Sequence, residues 1–148
     1  MKKFILGIIS GAIGSLLIYF LITFFVEPLR FSFSYGFPPV SGKYLSSYPD
    51  HPDWKPEPAT VHQFGFKIYG DFYSPEENEH YDFTGNVTSS RLITYQFSPK
   101  NKKLNDYGTG LIKLNKNGDI GEGYVLFLSE KSERPQPIRI IIKKVEDK

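Results

Sequence analysis

Between Val61 and Tyr73 the chain reads VHQFGFKIYGDFY, with Phe64, Phe66, Ile68 and Phe72 at every second position and Gly70 interrupting the series. A period of two puts alternate side chains on opposite faces of a β-strand. The stretch is therefore expected to form a strand with those four side chains inward and Gln63, Lys67 and Asp71 in water. Gly65 and Gly70 let such a strand bend, or leave room for a large side chain opposite. The same alternation with embedded glycine returns in YDFTGNV, GTGLIKL and GDIGEGYVLFL. Repetition of that kind marks strongly curved strands.

Strand candidates run over Gly42 to Ser47, Val61 to Tyr73, His80 to Thr88, Arg91 to Ser98, Tyr107 to Asn115, Ile120 to Ser129 and Ile138 to Val145. The segments between them are rich in Asn, Asp, Gly, Ser, Pro and Lys, as turns require, and Asn117-Gly118 is the most explicit hairpin signal. Nothing after the first thirty or so residues keeps apolar positions at helical spacing. Short antiparallel strands joined by hairpins predict an all-β fold, a small closed barrel or a sandwich, and closure is favoured because it hides sheet edges.

The N-terminus is different in kind. Phe4 to Val26, FILGIISGAIGSLLIYFLITFFV, carries no charge. As a helix it would be about 34 Å long, against a hydrocarbon thickness of about 30 Å, so it is expected to span a bilayer once. The run is longer than the apolar part of a secretory signal and no small-x-small cleavage site follows it, which favours an uncleaved anchor. Gly7, Gly11 and Ser15 recur every fourth residue and form a flat stripe suited to helix self-association. Lys2 and Lys3 flank this run tightly and lean toward a cytoplasmic N-terminus with the barrel outside. The chain divides into an anchor (1–30), an aromatic and proline-rich juxtamembrane segment holding the first strand candidate (31–60) and the main part of the barrel (61–148). The aromatic FSFSYGF, Phe31 to Phe37, suits the headgroup layer. YPDHPDWKPEPAT, Tyr48 to Thr60, reads as a semi-extended linker, since proline does not support a central strand.

Composition excludes several functions. A formal net charge of +2 with interspersed charges does not suit polymeric nucleic acid. The absence of cysteine removes disulfides, thiolate metal sites, thiol catalysis and a lipidated-cysteine anchor. GDIGEGY lacks the spacing and following helix of a phosphate loop. His51, His62 and His80 lie in separate segments and read as turn or surface residues, with no metal expected. No nucleophile, base and orienting acid fall into a catalytic arrangement. The chain is thus expected to be neither an enzyme nor a cofactor carrier. Arg91 alternates with Ile93, Tyr95 and Phe97, so it either enters the interior with an anionic partner or lies at the strand mouth in solvent. Arg139 is expected to point outward. Trp54, the only tryptophan, is expected to plug one end of the barrel, rest on the bilayer surface or cap a ligand.

The order SGKY, HQFGFKIYG, YDFTGNV, RLITYQF, YGTGLIKL and GDIGEGYVLF resembles the small calycin-type (lipocalin-like) β-barrels that serve as receptors in membrane-anchored effectors of CBASS, a bacterial antiphage defence. The resemblance covers roughly residues 41 to 145. It implies a cyclic dinucleotide bound by the barrel and an anchor that oligomerises in, and disrupts, the bacterial inner membrane. It also implies a barrel in the cytoplasm, opposite to the charge reading, and two membrane helices where this chain has one. No binding residue transfers by motif; Arg91, Tyr95 and Trp54 are nominated on physical grounds, as a cation and stacking surfaces for a phosphate-bearing base. The alternatives are a filled barrel outside the cytoplasm, serving as an envelope or interaction module, and a carrier of a lipid or small apolar ligand.

Overall fold

A computed structural model describes residues 2–26, 39–128 and 136–145, with side chains from residue 12 onward and without that of Gln136. Helix α1 (Lys2–Leu21) runs into a π-helical turn, Ile22–Val26. Eight strands follow: β1 (Gly42–Ser47), β2 (Glu57–Phe64), β3 (Lys67–Ser74), β4 (Glu79–Val87), β5 (Leu92–Pro99), β6 (Tyr107–Leu114), β7 (Ile120–Leu128) and β8 (Gln136–Val145). Each pairs antiparallel with the next and β8 pairs with β1, giving a closed up-and-down barrel. Phe31 to Phe37 lies outside the described residues. Among the described residues no helix is long and apolar enough to cross a membrane. Those of α1 and the π-helical turn nonetheless expose large apolar side chains, including Leu16, Leu17, Phe20 and Phe25.

The single strand expected over Val61 to Tyr73 is a hairpin. Gly65 takes φ 59° and turns the chain with Phe66 between β2 and β3. Glycine at the first central position is what a two-residue turn of the II′ kind demands. Inward positions are odd-numbered on β2 (Glu57, Ala59, Val61, Gln63) and even-numbered on β3 (Ile68, Gly70, Phe72, Ser74), so the parity switches at the turn. Phe64 is consequently exposed and meets Phe24, with ring centroids 5.8 Å apart. Gln63, expected in water, is half-buried; its side-chain oxygen accepts from the Val40 amide at 2.7 Å and its nitrogen donates to the Gly65 carbonyl at 2.7 Å. The proline-rich segment also differs from expectation, because its last residues, Glu57 to Thr60, start β2. Pro58 is tolerated there, near the beginning of a strand.

Buried Val40, Tyr44, Val87 and Leu114 close the end at which the chain enters the barrel. Tyr44 donates its hydroxyl to the Gly118 carbonyl at 3.2 Å, and burial, helped by nearby Asp119, pushes that phenol up to about 12. In the Gly118 turn, only Gly118 of the Asn117-Gly118 pair has positive φ (75°), and the Asn115 side chain accepts from the Gly118 amide at 2.9 Å.

Six glycines (Gly70, Gly85, Gly108, Gly110, Gly121 and Gly123) occupy inward positions, alternating with buried side chains on β3, β4, β6 and β7. Two of them lie directly under aromatic rings. Gly108 pairs with Phe97 and Gly110 with Tyr95 across β5 and β6, and each ring covers its partner glycine. A Cβ on Gly110 would fall 2.1 Å from Tyr95 Cε1. Gly110→Ala is therefore expected to displace the ring and lower stability by about 1–3 kcal/mol, measured by denaturant unfolding followed through tryptophan fluorescence; unchanged stability would contradict the packing described.

Candidate functional site

An interior of eight strands is just wide enough to be filled by side chains or to hold one small ligand. Here it is partly filled. Phe72 stacks on Tyr81 (centroids 4.9 Å, 9°), meets Phe97 edge-on (5.3 Å, 77°), and Phe97 stacks on Phe127 (6.0 Å, 10°). A cavity of about 180 Å³ remains, walled by these rings with Ile68, Phe83 and Tyr95. None of the six inward glycines borders it, and a Cβ on any of them would meet a neighbouring atom at 2.7 Å or less.

Polar groups gather at the end remote from the chain's point of entrance. Glu57 opens β2 with its side chain inward and is only 8% exposed. Buried Ser46 stands opposite it on β1, and buried Ser74 closes β3 beside it. Tyr48, just beyond β1, donates its hydroxyl to Glu57. Burial raises the Glu57 pKa, opposed by the hydrogen bonds from Tyr48 and Ser74 and reinforced by Glu77 and Glu76. Burial likewise raises the phenols of Tyr48 and Tyr95, with the Glu57 carboxyl acting in the same direction. The exposed turn after β3 brings Glu76 and Glu77 to the rim, where Glu77 accepts from the Tyr81 hydroxyl. Trp54 completes the rim, stacked on His51 (4.1 Å, 12°) and edge-on to Tyr48 (5.3 Å, 72°). Among the described residues the ionisable groups lining this cavity are three carboxyls and four phenols, with no lysine, arginine or histidine.

Of the three nominated residues, Tyr95 and Trp54 line the cavity and Arg91 does not. Arg91 has φ 64° and ends the turn before β5, its amide donating to the Thr88 carbonyl at 2.9 Å. It stands at the mouth of β5, at the closed end of the barrel, half-buried and with its Nε shielded from solvent. Arg139 points outward and pairs with Glu122 across β7 and β8. His62 and His80 are exposed on outer faces, stacked on or tilted against Tyr69 and Tyr73, away from His51. Sequence reasoning missed Glu57, Tyr48 and Ser74. Glu57 shares its parity with Ala59 and Val61, and that was the available signal.

The chain matches no family model, and comparison with curated proteins finds no relative.

A carboxyl whose pKa is higher folded than unfolded holds extra protons in the folded state. Its effect on stability therefore becomes less favourable as pH rises from the ordinary value of 4.5 through the raised one. The stability of the wild type relative to Glu57→Gln should fall as pH rises through that window, measured by urea unfolding of both proteins at several pH values. A difference that stays constant with pH would show that Glu57 titrates normally.

Proposed function

We propose that this chain is a membrane-anchored, non-enzymatic barrel that takes a small, mainly apolar ligand through the acidic end of its interior. The observation that carries this reading is the apolar cavity of about 180 Å³. Apolar cavities of about 150 Å³ are large enough to hold benzene. Aromatic walls give such a guest dispersion contacts on several sides, while Glu57, Ser74 and the Tyr95 hydroxyl supply a few polar contacts for orientation.

The uncharged run Phe4 to Val26 supports a single-pass anchor in a bacterial inner membrane. The exposed apolar side chains of its described part need a lipid or protein covering. With Gly7, Gly11 and Ser15 on one stripe, that helix is proposed to self-associate, coupling occupancy of the barrel to assembly in the membrane as the CBASS-type resemblance implies. The cyclic dinucleotide of that resemblance bears two phosphates. Three carboxyls line the cavity and Arg91 sits at the other end, an arrangement that favours uncharged or cationic guests over anions.

Propylbenzene added to the full chain in lipid nanodiscs should raise its melting temperature. At a hundred times its Kd, the stabilisation should be about 2.7 kcal/mol. Ala59→Leu, which intrudes on the cavity wall, should abolish the effect; a filled barrel would show no response in either protein. Gly11→Leu should weaken oligomerisation, assayed by cross-linking in membranes, without changing propylbenzene binding. Unaltered cross-linking would remove the glycine stripe from the account.

A further inference from the structure

Resting on the proposed ligand site, the geometry points to the chemical class of its guest: a small aromatic or aliphatic amine, bound as its cation, with its apolar body in the cavity and its ammonium at Glu57. Glu57 is more than nine-tenths buried and belongs to the cavity lining at the polar end. A cation placed there meets a carboxylate beside the Tyr48 hydroxyl, a group that binds an ammonium through charge-assisted hydrogen bonds, with the Trp54 ring at the rim. Glu76 and Glu77 at the rim add negative potential along the approach, and no basic side chain lines the cavity among the described residues. An anion of the same size would meet that potential as a barrier.

Glu57 also gives the binding a pH dependence. The groups facing it are Tyr48 from the segment after β1, Ser74 and the Glu76 and Glu77 carboxyls from β3 and its turn, and Tyr95 from β5. In the empty barrel, burial and the two rim carboxylates favour its protonated form. An ammonium guest favours the ionised form, so binding releases a proton where Glu57 is still protonated. Amine affinity therefore rises with pH until Glu57 is ionised in the free protein.

The test compares 2-phenylethylamine, propylbenzene and phenylacetate on the full chain in nanodiscs. Trp54, the only tryptophan in the chain, reports at the rim by fluorescence, and melting temperature serves as the second readout. At pH 8 the amine is expected to bind about tenfold more tightly than propylbenzene, as one charged hydrogen bond supplies, and phenylacetate more weakly than either. Lowering the pH to 5 should erode the amine's advantage while leaving propylbenzene unchanged, and Glu57→Gln should remove it at both pH values. Glu76→Gln combined with Glu77→Gln, both at exposed positions, is a second variant expected to lower amine affinity more than propylbenzene affinity. Equal affinity for propylbenzene and the amine, or a preference for phenylacetate, overturns the amine assignment and leaves the apolar site standing. If none of the three perturbs Trp54 or the melting temperature, both readings fall.

Discussion

The structure depends on rings laid over glycines. Closing eight short strands into a barrel forces inward side chains from opposite walls to compete for one narrow space. Tyr95 over Gly110 and Phe97 over Gly108 resolve that competition locally, each ring taking the volume its partner gives up. The space that stays unfilled is bordered by aromatic and aliphatic side chains, not by these glycines. A hollow that small is dry unless polar groups enter it, and its carboxyls enter at one end only.

That asymmetry gives the barrel a direction. The end where the chain arrives from its N-terminal helix is sealed by Val40, Tyr44, Val87 and Leu114 and tied by hydrogen bonds from Gln63 and Tyr44. The other carries Glu57 with Ser46, Ser74 and Tyr48, rimmed by Trp54, Glu76 and Glu77. Burying a carboxyl is unfavourable unless it is hydrogen-bonded or neutral, and Glu57 is hydrogen-bonded while its pKa shift favours the neutral form. A group held in that condition responds strongly to an incoming charge. The proposed function and the inferred amine selectivity both follow from this placement.

Much of the architecture was legible because a curved strand writes its own period. β1 was bounded to the residue, and the glycine-bearing alternations became β4, β6 and β7 with ends shifted by no more than one residue. The hairpin between β2 and β3 was hidden because Phe64 is apolar although it points outward, so the alternation runs through the turn without a break. Arg91 sits at the strand mouth, one of the two positions its pattern allowed, while its positive φ leaves no trace in the sequence. Glu57 escaped notice because its prolines suggested a linker, and a proline near the start of a strand removes little from the ladder. The cavity itself was not legible, since sequence shows which side chains point inward but not how their rings pack against one another.

Whether the interior is empty and apolar decides the rest of the account. Crystals of the protein pressurised with xenon, which occupies dry apolar cavities, measure that directly. The account predicts one ordered xenon site inside the barrel, bounded by Phe72, Tyr95 and Phe97, below the level of Glu57. An interior without xenon, with Tyr95 or Phe97 turned into the space, would mean that the barrel is filled by its own side chains and has no guest to bind.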